Sequence, residues 1–336
     1  MAKLLTGLVV VFTVGLIVAC SSSDKVYQNN HIPPIEKNPF KFLYVRYFGE
    51  QVWADQAAQA SDIPRQKVDI ALINNPQQTN KITWLGHSSF LVQLPSVTFL
   101  TDPVFSERVS PVSFAGPKRL VPLTFNPEDL PKIDFVVISH NHYDHLDKMA
   151  VKALGNSTHY LVPEGLGAWF EKMGVDSDNI SELAWWDSEQ RANTNITATP
   201  SQHWSARGLF DRNKSHWASW LIEVDNKRLW FAGDTGYNPY DFKEIGQWAG
   251  EIDLAFIPIG AYAPRDFMKD QHVNVPEAIM IHNDVRSKLS IGMHWGTYPL
   301  TAEPVMEPAE QLIELSEQTK QGEFVSMAIG ETLRLK

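Results

Sequence analysis

Between Ile133 and His145 the chain passes from a short apolar run into a tight group of titratable side chains. Ile133-Asp134-Phe135-Val136-Val137-Ile138-Ser139 reads as a buried β-strand, and it leads directly into His140-Asn141-His142-Tyr143-Asp144-His145. Three imidazoles and a carboxylate in six residues gain little from crowding unless something binds them. The spacing suits cations. His140 and His142 lie two apart on an extended segment and face the same way, so they can grip one metal, while Asp144 and His145, beyond the turn, can face a second close by.

Further donors follow at the ends of other apolar runs. His203 stands in Thr199-Pro200-Ser201-Gln202-His203-Trp204, Asp234 follows Leu229-Trp230-Phe231-Ala232 in Gly233-Asp234-Thr235-Gly236, and His294 follows Ile291-Gly292-Met293. Any one alone would read as a packing histidine or a turn aspartate; their recurrence at strand ends, where a sheet protein collects its site, makes them candidate ligands. The single cysteine, Cys20, allows no internal disulfide or thiolate cluster, so a metal site must be built from His and Asp or Glu. Such a nitrogen and oxygen set suits Zn²⁺ best, with Fe or Mn as alternatives. His87 follows a strand and reads as a packing residue or a partner to a ligand, not a ligand itself. His31, His159, His216 and His282 have no such companions and read as surface or packing residues.

Residues 81–85, 89–94 and 97–101 read as strands, and a second set lies at 219–224, 228–232 and 254–259. Helical patterns occupy 146–154, 165–173, 275–283 and 310–319, the last with Ala309, Leu312, Ile313 and Ser316 at helical spacing. Two strand-rich halves flanked by helices predict an α/β fold, two sheets face to face with helices outside. A chain that is 43% hydrophobic and 20% charged can bury a sizeable core, which excludes disorder. The formal net charge of −10, with no basic stripe, argues against nucleic acid as a partner. It leaves a phospholipid substrate open, since that needs only a local cationic or metal site.

The first residues read as a processing signal. Lys3 precedes an apolar stretch, and Ile17-Val18-Ala19-Cys20 has the form of a bacterial lipobox before Ser21-Ser22-Ser23. Residues 1–19 are then a lipoprotein signal peptide, 20–39 a tether and 40–336 the folded domain. A transmembrane anchor is the competing reading, but the apolar stretch is short against the ~20 residues a bilayer requires; a plain secretory signal is the other. A lipidated Cys20 predicts a membrane-anchored, periplasm-facing protein of the cell envelope, and Ser21 fits outer-membrane sorting. The aromatic-rich residues 40–53 read as a cover for the core or as an interfacial segment near the bilayer.

Taken together, these motifs resemble the metallo-β-lactamase superfamily, whose fold is an αββα sandwich with one or two metals between the sheet edges. The resemblance implies that His140, His142 and His203 hold one metal and Asp144, His145 and His294 the other, with Asp234 bridging. It places Asp144 and Asp234 among the catalytic groups. The common dizinc β-lactamases use a cysteine ligand, and here the only cysteine lies in the lipobox. Thr83-Trp84-Leu85-Gly86-His87, Leu100-Thr101-Asp102-Pro103, Gly116-Pro117-Lys118-Arg119, Ser201-Gln202-His203-Trp204 and Gln271-His272-Val273 narrow the likeness. With the histidine cluster they resemble the N-acyl-phosphatidylethanolamine-hydrolysing phospholipase D family over roughly residues 80–300.

That family resemblance implies a zinc-dependent phosphoric diester hydrolase. A hydroxide bridging two Zn²⁺ would cleave N-acyl-phosphatidylethanolamine to N-acylethanolamine and phosphatidic acid. Tyr143 and His272 align with substrate-contacting positions, although His272 could equally be structural. Arg265 and Lys269 are candidate phosphate-side charges, and a solvated role is open for Lys269. Asp266 and Asp270 depart from the aromatic character expected of a lipid-lining loop. Two other classes stay open: a hydrolase of another ester or a lactone, and a non-catalytic envelope lipoprotein.

Overall fold

The computed structural model describes residues 25–34, 44–46, 48–77 and 79–335. The expected signal peptide and lipobox at Cys20 lie outside the described residues, as do parts of the expected tether and of residues 40–53. Of that aromatic stretch, Tyr44, Phe48 and Val52 are exposed, so these three do not cover the core. Among the described residues no helix is long and apolar enough to cross a membrane.

Among the described residues, fourteen strands form two sheets of seven. In the first half, β1 (Lys81–Gly86), β2 (Ser89–Gln93) and β3 (Thr98–Thr101) form an antiparallel meander. Then β4 (Phe135–Val137), β5 (His159–Pro163) and β6 (Ile180–Leu183) continue it in parallel. The second half repeats the plan. Antiparallel β7 (Ser188–Arg191), β8 (Thr194–Thr199), β9 (Ser219–Val224) and β10 (Lys227–Phe231) are followed by parallel β11 (Leu254–Pro258), β12 (Leu289–Met293) and β13 (Glu323–Val325). Last, β14 (Thr332–Arg334) returns to the first sheet and pairs with β1.

Alternation along the strands separates two layers of core. Phe90, Val92, Phe135 and Val137 enter the interior between the sheets, where the Phe90 and Phe256 rings lie 4.4 Å apart. Leu91 and Val136 point the other way, onto a second cluster with Ala150 and Val151. Those two residues belong to α2 (Lys148–Leu154), which follows the short α1 (Ile70–Ile73) and precedes α3 (Gly167–Lys172). On the second sheet lie α4 (Asp241–Ala249), the short α5 (Arg265–Met268), α6 (Val275–Asp284) and α7 (Glu307–Leu315). Each fully buried Phe or Val on these strands contributes about 1.5–3 kcal/mol, enough in aggregate to define the sandwich.

Most expected elements differ from the observed ones by a residue or two at an end, and two of the differences have a physical reason. The strand read over 133–139 is regular over Phe135–Val137; Asp134 N and Ile138 N still donate to the Thr98 and Leu161 carbonyls, but Ser139 N leaves the ladder and donates to the Asp102 carboxylate at 2.7 Å. The last helix begins at Glu307, where Pro308 suits the first turn, and a 3₁₀ turn at Ser316–Gln318 ends it. Ile313 is 70% exposed, so Ala309 and Leu312 carry the buried stripe without it.

Strand direction then decides where chemistry can collect. β1, β3 and β4 run the same way in one sheet, and β8, β10 and β12 the same way in the other. Their carboxyl ends lead into His87, Asp102, His140, His203, Asp234 and His294.

Candidate metal centre

The seven candidate ligands converge at that sheet edge. His142 Nδ1 lies 2.8 Å from His140 Nε2 and 3.3 Å from His203 Nε2, so three imidazoles point their nitrogens at one spot. Beside them, His294 Nε2 stands 3.1 Å from His145 Nε2, and Asp144 Oδ2 stands 3.5 Å from His145 Nε2 and 3.3 Å from His294 Nε2. Asp234 Oδ2 reaches both groups, 3.1 Å from His145 and His294 and 3.9 Å from His140 and His203.

Backbone geometry at the strand ends is unusual, and it aims these groups. His87, Asp102 and His294 adopt positive φ of 53°, 31° and 65°, a region disfavoured for side-chain-bearing residues and one that clusters at sites. Gly233, just before Asp234, has φ 60° and a Cβ there would meet the Ser139 Cβ at 2.5 Å, so glycine is required.

Around the donors lies a set of groups that hold them. Asp102, fully buried, accepts from Ser139 N at 2.7 Å and Ser139 Oγ at 2.5 Å, and its Oδ2 lies 2.6 Å from His145 Nδ1. That leaves His145 Nε2 to face the site. His203 is aimed the same way, with Nδ1 3.0 Å from the Gln271 carbonyl. His87 Nε2 lies 3.0 Å from Asp144 Oδ2, so it steadies a candidate ligand from behind. Asp147 caps α2, accepting from Met149 N and Ala150 N, and also accepts from Phe105 N and Ser106 N, which ties the ligand loop to the loop after β3. Sequence reasoning assigned no role to Asp102, although Asp102-Pro103 at a strand end was its signal; only the parallel pairing of β3 with β4 brings it beneath the histidines.

Burial and mutual charge set the protonation pattern. Desolvation, reinforced by neighbouring imidazoles, holds His140 and His203 well below the usual histidine range, and burial brings His142 down to about 4. His145 and His294 go the other way. Burial pulls both down, but Asp234 and Asp144 outweigh it, joined at His145 by Asp102, and His294 rises to about 9. Against their own desolvation, Asp144 and Asp234 are held well below the carboxylate range chiefly by His145.

Two features fit divalent cations here. Both Asp234 carboxylate oxygens are buried without a hydrogen-bond partner, a costly state that a cation relieves. The donor set is nitrogen and oxygen only, with free lone pairs on the neutral His140, His142 and His203, as borderline metals require.

The remaining candidates separate. His272 is buried, its Nδ1 unpartnered and 3.8 Å from Asp234 Oδ2, and burial brings it down to about 3. Tyr143 lies on the wall of a groove of about 370 Å³, its hydroxyl donating to the Arg207 carbonyl at 2.9 Å. Arg265 does not present its charge to the site: it donates to the His272 carbonyl at 2.6 Å and pairs with Glu277, which also caps α6 with Asn274. Asp266, Lys269 and Asp270 are exposed. His216 and His282 are buried packing residues, His282 between Ser290 Oγ and the Gln321 carbonyl, while His159 lies beside Ser181 and His31 beside Asp241.

Comparison with known proteins agrees with this geometry. A β-lactamase superfamily domain model matches residues 98–295. The N-acyl-phosphatidylethanolamine-hydrolyzing phospholipase D 1 of Caenorhabditis elegans is 46% identical over 263 residues, 74% of this chain and 74% of that one. The mitochondrial N-acyl-phosphatidylethanolamine-hydrolyzing phospholipase D of Saccharomyces cerevisiae is 37% identical over 243 residues, 70% of this chain and 51% of that one. Among solved structures, Igni18, a metallo hydrolase from the archaeon Ignicoccus hospitalis, shares the fold with a TM-score of 0.57 at 22% identity, covering 76% of this chain and 98% of its own. Fold, donor set and relatives make this a metal-dependent hydrolase. The chain belongs to the metallo-β-lactamase superfamily and, within it, to the family of the N-acyl-phosphatidylethanolamine-hydrolysing phospholipases D.

Proposed function

We propose that this chain is a two-metal phosphodiesterase of phospholipase D type, using zinc. It would act on N-acyl-phosphatidylethanolamine-like phospholipids to release N-acylethanolamine and phosphatidic acid. The observation that carries the reading is Asp234, whose unpartnered oxygens stand between the His140, His142, His203 group and the Asp144, His145, His294 group. The substrate class follows the Caenorhabditis elegans and Saccharomyces cerevisiae relatives, which are named for hydrolysis of N-acyl-phosphatidylethanolamine.

Two divalent cations held by those groups would supply Lewis-acid charge for a phosphoryl oxygen and lower the pKa of a water toward neutrality. The chain's own residues prepare that chemistry. Asp102 and the Gln271 carbonyl turn His145 and His203 so that Nε2 of each faces inward, and His87 holds Asp144. The mostly buried walls keep water out, which strengthens every charge inside. His272, neutral and beside Asp234, and Tyr143, on the groove wall, are the proposed substrate contacts. The lipobox extends the proposal to location: an acylated Cys20 would hold the enzyme at the periplasmic side of the cell envelope, at the outer membrane.

Lipid mass spectrometry with a phospholipid panel tests this. Matched release of N-acylethanolamine and phosphatidic acid, lost after chelation and in Asp234→Asn, is the expected result. Turnover of another ester or lactone alone would move the substrate class. Persistent hydrolysis by metal-free Asp234→Asn protein would refute the metal assignment.

A further inference from the structure

We propose that the turn carrying Leu209 and Phe210 is a membrane-docking tip that seats the metal-centre face of the enzyme on an anionic lipid bilayer. Leu209 and Phe210 are 91% and 86% exposed, an apolar pair held out in water. The turn that holds them is braced at its base. Asp211 accepts from Arg207 N at 3.1 and 3.0 Å and from Gly208 N at 2.8 Å, which closes the loop and leaves the two side chains outside it.

That base is also part of the site. Arg207 donates to the carbonyls of Asn141 at 2.9 Å and Leu146 at 2.7 Å, and its guanidinium lies 4.0 Å over the Tyr143 ring. The tip is therefore fixed to the loop that carries His140, His142, Asp144 and His145. Across the groove, a second bend exposes Val112 and Phe114, the latter 82% exposed, and is closed by Arg108 donating to the Gly116 carbonyl at 2.6 Å. Met149 stands half-exposed on the same groove, and three cations, Arg108, Lys148 and Arg207, outnumber the two carboxylates, Glu107 and Asp147, that line it in a chain whose net charge is −10.

The occupant is indicated by where the amino-terminal segment arrives. Residues 25–31 lie on the folded domain: Tyr27 N donates to the Asn213 carbonyl at 2.9 Å, Lys25 pairs with Glu164 at 2.6 Å, and Asn29 Nδ2 donates to the His203 carbonyl at 2.9 Å. Asn213 lies two residues past Asp211. Cys20 precedes Lys25 by five residues, a reach of at most about 18 Å even when fully extended. An acyl anchor there enters the bilayer on the side of the Leu209 and Phe210 tip, and apolar tips beside cations suit an anionic lipid surface. This rests on the phospholipid reading of the site, and it is tested by binding alone, so failed docking leaves that reading standing and failed turnover leaves docking standing.

The test uses the mature chain without residues 1–19 and with Cys20→Ser, so that neither an acyl chain nor the apolar leader is present, with vesicles of phosphatidylethanolamine and phosphatidylglycerol. Sedimentation should show vesicle partition that falls by about tenfold or more in a Leu209→Ser/Phe210→Ser variant, with the urea midpoint unchanged. In Phe210→Trp, the introduced indole should be quenched by brominated acyl chains. Equal partition of the double variant, or an indole that brominated lipid does not quench, overturns the proposal. So does self-association through these residues without vesicle binding, which would assign the tip to a second copy of the chain.

Discussion

Replacing Asp102 with Asn changes one oxygen into an amide nitrogen and preserves shape, yet the structure predicts a large effect on a metal it does not touch. Oδ1 can still accept from Ser139 N, but the Oδ2 position, 2.6 Å from His145 Nδ1 and 2.5 Å from Ser139 Oγ, becomes a donor. An amide N–H aimed at Nδ1 requires Nδ1 to accept, which moves the ring proton to Nε2. That nitrogen is the one facing Asp144, Asp234 and His294, and with a proton it has no lone pair for a cation. Loss of such an orienting partner costs about 10–100-fold in metal affinity, roughly 1.4–2.7 kcal/mol. Chelator competition on the full chain would read it. The cation beside His145 should weaken by that factor, while the one beside His140, His142 and His203 is much less affected. Two metals held with wild-type affinity by Asp102→Asn protein would refute the reasoning.

Three further expectations follow from particular contacts. Gly233→Ala meets both a left-handed φ of 60° and the Ser139 side chain, so beyond the ~1–2 kcal/mol of backbone cost it should displace Asp234, seen as a lower urea midpoint together with reduced metal content. Arg207→Ala strips donors from the Asn141 and Leu146 carbonyls and should cost about 3 kcal/mol of stability, with Arg207→Lys restoring only part; an unchanged midpoint would show that the ligand loop holds itself. His216 is brought down to about 3 by burial and then by Lys25, with Nδ1 accepting from Trp217 N. The unfolded chain therefore binds the extra proton below about pH 6.5, so this contribution is complete above that pH and is lost as pH falls toward the folded value. Denaturant titrations of metal-free His216→Asn should show a slope shallower by about 1.4 kcal/mol per pH unit between roughly pH 6 and pH 4.

Several elements were legible because their signal is local. The β1–β2 meander, β9–β10 and α6 show period and punctuation within a dozen residues, and the His140–His145 spacing is itself chemistry. Other elements carry weaker local signals. β6 and β7 are partly exposed and polar, and β13 and β14 have three residues each, too short for any periodicity to register. The role of Arg265 was equally hidden, since its partner Glu277 lies 12 residues away, and His87 could be read as a partner to a ligand but not matched to Asp144, 57 residues on.

Sequence alone therefore determined the donor types, their placement after apolar runs and the exclusion of a thiolate site, because each is a property of composition or near-neighbour spacing. Tertiary structure decided which donors stand together, since His203, Asp234 and His294 meet the His140–His145 loop only where the carboxyl ends of β4, β8, β10 and β12 converge. It also decided the groups behind them. Asp102 reaches His145 across 43 residues of chain because β3 and β4 are parallel neighbours. A hydrogen bond of that kind depends on register, and register is settled by the packing of the whole sheet.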